Sequence, residues 1–121
     1  MKEDFALQYA DRRAKERGYD QYRIVYREFI IPPNGALKFQ AYNELWLVTY
    51  IGWGLIVKSS YGKYTNWYTQ GITENSHEHG DRIEIINTRK YQRTIRFIQV
   101  ILKTKDDGST TTKTGIGETN R

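Results

Sequence analysis

The chain of 121 residues contains no cysteine and only two prolines, and it has no long apolar run. The lack of cysteine excludes a disulfide scaffold, a cysteine-ligated metal centre and thiol catalysis. No stretch approaches the roughly 18 apolar residues of a membrane-spanning helix. The first residues mix acids and bases, unlike a signal peptide. We therefore expect a globular domain made inside the cell, with no membrane contact and no bound cofactor.

The charge balance is modestly basic. Nineteen Lys and Arg residues stand against fourteen Asp and Glu, which gives a net charge of +5. Basic residues concentrate in two segments, 12–17 and 89–105. Such segments form either solvated faces or contacts with an acidic partner or a phosphate backbone.

Residues 3–17 are predicted to form a helix. Two acids, Glu3 and Asp4, lie at its start and basic residues lie at its end, as the helix dipole favours, and Gly18 follows as a stop. Its apolar stripe is narrow and rich in alanine, so the helix must be stabilised by packing against the domain or against another subunit. We interpret residues 1–18 as an N-terminal arm whose partner-docking residues are Phe5, Leu7, Tyr9, Arg12 and Arg13.

From residue 22 the pattern changes to the alternation typical of strands. Seven short segments with turns between them predict an all-β sandwich or small jelly roll over residues 19–104. The predicted strands cover 22–31, 37–41, 45–50, 55–60, 64–69, 82–87 and 93–104. Residues 105–121 have one large apolar residue, Ile116, and are predicted to be a flexible tail that docks on a neighbour.

The sequence contains no motif typical of a catalytic site. His77 and His79 could share one strand face, but no third ligand has a fixed spacing, so whether they hold a metal stays open. No serine has a nucleophile-elbow setting, and no P-loop is present. We therefore predict a protein that is not an enzyme, with no catalytic residue, metal site or cofactor site.

Aromatic residues are the most suggestive feature. Trp53 lies between two glycines at a predicted hairpin tip, and Trp67 follows with Tyr64 and Tyr68. Exposed Trp and Tyr stack on sugar rings or form interface hot spots. We predict surface recognition by these four residues, whereas Trp46 is either core or surface.

The succession of strand and turn segments in residues 22–103 resembles that of small β-sandwich accessory proteins of tailed bacteriophage virions. The segments that carry the resemblance are 31–35, 41–45, 60–64, 78–80, 83–85 and 96–101. The resemblance implies a capsid-decoration, head-fibre-base or portal and tail-assembly subunit. It would be located in the virion and would contact other virion proteins and copies of itself.

Two alternatives remain open at this point. The first is a carbohydrate-binding module for host attachment that uses the Trp-rich face. The second is a nucleic-acid-binding protein that uses the basic segment 89–105.

Overall fold

The computed structural model describes residues 1–66 and 76–103, together with the backbone of residues 117–120. One helix and seven strands occur in these ranges: α1 (Glu3–Glu16), β1 (Gln21–Ile31), β2 (Ala36–Ile51), β3 (Leu55–Ser59), β4 (Gly62–Thr65), β5 (Glu78–Asn87), β6 (Arg93–Lys103) and β7 (Gly117–Asn120). No helix within the described ranges is long and apolar enough to cross a membrane.

The strands form one sheet in the order β4-β3-β5-β2-β6-β1-β7. Its pairings are antiparallel, except that β7 runs parallel to β1. The predicted all-β class with about seven strands and an N-terminal helix is confirmed. The individual strands differ from the prediction: segments 37–41 and 45–50 belong to one strand, β2, and the seventh strand comes from residues 117–120 of the tail. In addition, β4 begins at Gly62, and β5 begins at Glu78, inside the predicted loop over residues 70–81.

The long strand β2 bends where the sequence pattern is interrupted. Its pairing with β5 shifts between Ala41 and Trp46, and Asn43 there has a φ of 60°. Asp81, the partner of Ala41, has a φ of 61°. Asn and Asp tolerate this left-handed region better than most residues, so both strands can turn at the same place.

The bend folds the sheet into two layers. Residues 36–41 of β2 pair with β5, whereas residues 44–51 pair with β6, with Trp46 and Leu47 also paired to the first residues of β5. As a result, the ring of Phe39 lies 5.6 Å from that of Phe29 on β1, although these parts of β1 and β2 are not neighbours in the sheet. The arrangement is sandwich-like and is built from a single hydrogen-bonded sheet.

An inner cluster of apolar residues fills the space between the layers. Its centre is Trp46, which is 3% exposed and lies within 6.0 Å of the rings of Phe29, Phe39 and Phe97. The indole Nε1–H donates to Glu44 at 2.9 Å, so the polar end of the ring is satisfied. Trp46 is therefore a core residue.

The helix packs on the outer face of the sheet. Its buried residues are Ala6, Ala10 and Ala14, each 0% exposed, which join an outer cluster with residues of β1, β2 and β6. The small side chains let the helix backbone approach the strands closely. The helix is therefore stabilised by packing against the sheet of its own chain.

The predicted docking residues of the helix divide into two groups. Phe5 is 63% exposed and does not pack on the sheet, so its role in docking a partner stays a prediction. Leu7 and Tyr9 are partly buried against the outer cluster. Arg13 and Tyr9 both bind the carboxylate of Glu78 on β5, whereas Arg12 is exposed and stacks on Tyr9.

Candidate interaction surface

Three exposed aromatic side chains lie at the end of the sheet where β2 leads into β3 and β5 leads into β6. Trp53, in the β2–β3 turn, is 46% exposed, and Tyr91, in the β5–β6 turn, is 67% exposed. Tyr50, near the end of β2, is 50% exposed and pairs with Arg96 on β6. The hairpin tip and a neighbouring turn thus present large rings to solvent.

An arginine covers each of these rings. The guanidinium carbon of Arg89 is 4.0 Å from the centroid of Trp53, that of Arg93 is 5.7 Å from Tyr91, and that of Arg96 is 5.2 Å from Tyr50. These distances fall within the range of cation–π attraction. We call these six residues the aromatic–arginine patch.

Backbone contacts hold the turns of the patch together. The Nε–H of Arg93 donates to the carbonyl of Trp53 at 3.1 Å, and the hydroxyl of Thr88 donates to the carbonyl of Gly54 at 2.8 Å. Gly54 has a φ of +87°, and a Cβ atom there would lie 2.2 Å from Cγ of Arg89. Glycine at this position therefore allows both the turn and the close approach of Arg89.

A buried amide fixes the β5–β6 turn. Asn87 is 2% exposed, and its Nδ2 donates to the carbonyls of Ile31, Pro32 and Tyr91 at 3.1, 3.1 and 2.8 Å. The N–H of Arg89 donates to Asn87 Oδ1 at 2.9 Å. One side chain therefore positions both Arg89 and Tyr91 and ties their turn to the β1–β2 turn.

The patch is positively charged. Arg96 is paired with Glu28, with Nε and Oε2 2.7 Å apart. No ion pair joins Arg89 or Arg93 to a carboxylate within residues 1–66 and 76–103. Trp, Tyr and Arg are the residues that dominate the binding energy of protein interfaces. The patch therefore has the composition and charge of a surface that contacts an acidic partner.

Of the other predicted recognition residues, the structure describes only Tyr64, which lies away from the patch. Tyr64 is partly buried, packs against the inner cluster and has its ring 4.5 Å from that of His77. Trp67, Tyr68 and Ile116 lie outside the described residues. Sequence reasoning did not name Tyr91, whose only signal is its position inside the basic segment 89–105.

His79 is held inside the protein. Its Nδ1 accepts from the hydroxyl of Ser59 at 2.7 Å, and its Nε2–H donates to the carbonyl of Ser76 at 2.8 Å. Burial lowers the pKa of His79 to about 4, so the ring is neutral and a weak base at pH 7. Although Ser59 and His79 have the spacing of a nucleophile and its base, we assign this pair a structural role.

Both ring nitrogens of His79 are thus occupied, which leaves neither for a metal shared with His77. Within the described parts of the chain, His, Asp and Glu residues form no group of three or more that could hold a metal ion.

Comparisons with protein-family models, with curated proteins and with solved structures found no match.

Proposed function

We propose that the chain is a non-enzymatic structural subunit of a tailed bacteriophage particle that works through protein–protein contacts. The observation that carries the proposal is the aromatic–arginine patch. It presents three large exposed rings, two of them on turns that hydrogen bonds hold in place and the third near the end of β2. A preorganised surface of this kind loses little side-chain freedom on binding, which favours a stable contact.

The partner surface is acidic. The arginines that cover Trp53 and Tyr91 have no carboxylate partner among the described residues, so an acidic group on another subunit can pair with them. Arginine suits this role because its planar donors bind a carboxylate at two points.

A nucleic-acid contact is the second candidate for the same surface. Arg89, Arg93 and Arg96 could bind phosphates, and exposed rings can stack on unpaired bases. Carbohydrate binding has less support, because the guanidinium of Arg89 lies over one face of Trp53, where a sugar ring would stack.

Particle composition tests the main proposal. Phage particles would be purified from the host that carries the coding sequence and analysed by mass spectrometry. We expect peptides of this chain in the purified virions, in a constant ratio to the major capsid protein. Their absence from intact virions would overturn the proposal.

The role of the patch is tested by incorporation of variants. We expect Trp53→Ala combined with Tyr91→Ala to abolish incorporation into particles, while the purified variant keeps its fold by circular dichroism. Tyr42→Ala is the matched control, since Tyr42 is exposed and lies outside the patch. Equal loss with the control would show that the patch is not the contact.

A further inference from the structure

A groove of about 620 Å³ crosses the layer formed by β2, β5, β3 and β4. Its charged and amide lining residues are Lys38, Gln40, Lys58, Lys63, Arg82 and Glu84. The alternating residues of these strands, such as Leu37, Val57 and Ile85, belong to the inner cluster. The charged side chains therefore lie on the solvent side of this layer, and they share no residue with the aromatic–arginine patch.

Strand register assembles four cations from distant parts of the sequence. Lys38 pairs with Glu84, Glu84 with Lys58, and Lys58 with Lys63. The Nζ atoms of Lys38 and Lys58 lie 3.6 and 3.3 Å from the carboxylate oxygens of Glu84. One carboxylate thus lies between two lysines and positions both.

The remaining two cations have no acidic partner among the residues that the structure describes. Lys63 and Arg82 are exposed, and no carboxylate of the described ranges forms an ion pair with either. Among its described lining residues, the groove therefore has four positive groups and one negative group, an imbalance that attracts an anion.

The spacing of the cations indicates the size of the ligand. Three strand-to-strand steps of about 4.8 Å separate Lys38 from Lys63, so the row is roughly 14 Å wide. Arg82 lies two residues from Glu84 along β5, a distance of about 7 Å. A single small anion cannot reach all four groups. In an extended peptide, side chains two residues apart also lie about 7 Å from each other.

We propose that this groove binds an extended acidic peptide segment of a partner protein. The inference rests on the proposed function, to which it adds a second and separate contact surface. A peptide is favoured over a nucleic acid because, among the described lining residues, the one aromatic side chain, Phe39, is partly buried against the inner cluster and offers no face for base stacking.

The test measures binding of a fluorescein-labelled peptide of alternating Glu and Gly to the full chain by fluorescence anisotropy at low salt. The groove variant carries Lys63→Glu and Arg82→Glu, and the control variant carries Lys2→Glu and Arg17→Glu, two exposed cations that lie outside both the groove and the aromatic–arginine patch. Both variants change the net charge equally. We expect the groove variant to bind about tenfold more weakly and the control to stay within about twofold of the parent chain.

Three results would overturn the proposal: no binding by the parent chain, equal loss in the two variants, or tighter binding of a labelled oligothymidine than of the peptide. Thermal unfolding checks that each variant is folded, and Lys63→Gln with Arg82→Gln provides a neutral replacement. Detection of the chain in virions does not depend on this result, so the groove can fail while the structural role stands.

Discussion

Arg13 of the helix donates from Nε and Nη2 to the two carboxylate oxygens of Glu78 on β5, at 3.0 and 3.2 Å. The hydroxyl of Tyr9 donates to the same carboxylate. Burial, and then the neighbouring Glu78 carboxylate, raise the pKa of Tyr9 to about 12, so this phenol stays protonated as a donor. The helix is thereby fixed to the sheet by a two-point ion pair as well as by its alanine face.

Arg13→Ala should destabilise the fold. The side chain of Glu78 is only 10% exposed, so its carboxylate would lose its charged partner while it stays largely shielded from water. We expect the free energy of unfolding in urea to fall by about 2 kcal/mol. Arg12→Ala is the control, since Arg12 is exposed and only stacks on Tyr9, and its expected loss is about 0.5 kcal/mol. Equal losses would contradict this assignment.

The alanine face of the helix should reject larger side chains. Ala10 has no exposed surface and lies against the outer cluster. Ala10→Leu should lower the free energy of unfolding by about 1–3 kcal/mol, because the added atoms push the helix away from the strands. The same change at the exposed residue Gln8 should have little effect. Thermal and urea unfolding measure both variants, and an unaffected Ala10→Leu protein would show that the helix does not pack as described.

Asn87→Asp should destabilise the fold more than Asn87→Ala does. Asn87→Ala removes the donors to three carbonyls and should cost about 2 kcal/mol in unfolding free energy. Asn87→Asp keeps an acceptor for the N–H of Arg89 but turns carboxylate oxygen towards carbonyl oxygens, so its loss should be larger. Hydrogen exchange of residues 88–93 should quicken in both variants. If Asn87→Asp is the milder change, the assigned hydrogen bonds are wrong.

His79 should make stability depend on pH between about 6.5 and 4. Burial lowers its pKa in the folded chain to about 4 from a usual 6.5, so between these values the unfolded chain holds a proton that the folded chain excludes. Stability is therefore full above pH 6.5 and falls as the pH drops, by about 3 kcal/mol from this group alone.

The measurement is urea unfolding across this pH range for the parent chain and two variants. His79→Gln should flatten the dependence, because it removes the titrating group. His77→Gln should keep most of it, since His77 is only partly buried. Parallel curves for the parent and His79→Gln proteins would rule out His79 as the source.

Most of the fold class could be predicted from the sequence, since strand alternation and turn residues are local signals. The continuity of β2 could not, because the polar interruption near Asn43 looks like a turn. The strand continues there because Asn43 and Asp81 bend two paired strands together. The face of the sheet on which the helix packs could not be predicted either, because alanine contributes little to a hydrophobic pattern.

The candidate site was predicted in part. Trp53 between two glycines indicated an exposed ring, and segment 89–105 indicated a basic surface. Trp53 contacts this basic segment only because the β5–β6 turn lies beside the β2–β3 turn, and sequence spacing does not predict that proximity. The cationic groove depends even more on register, since Lys38, Lys58 and Arg82 become neighbours only through strand pairing.

The strand order has a consequence for folding during synthesis. β1 is synthesised before β2, β3, β4 and β5, yet its antiparallel partner is β6, with Gln21 opposite Lys103. The outer cluster likewise joins the helix to Ile98, Val100 and Leu102. Until β6 is made, the edge of β1 that pairs with β6 has no partner strand, and the helix lacks much of the apolar surface on which it packs. Such non-local pairing slows folding and exposes unpaired strand edges to aggregation, so the native sheet can close only once β6 has been made.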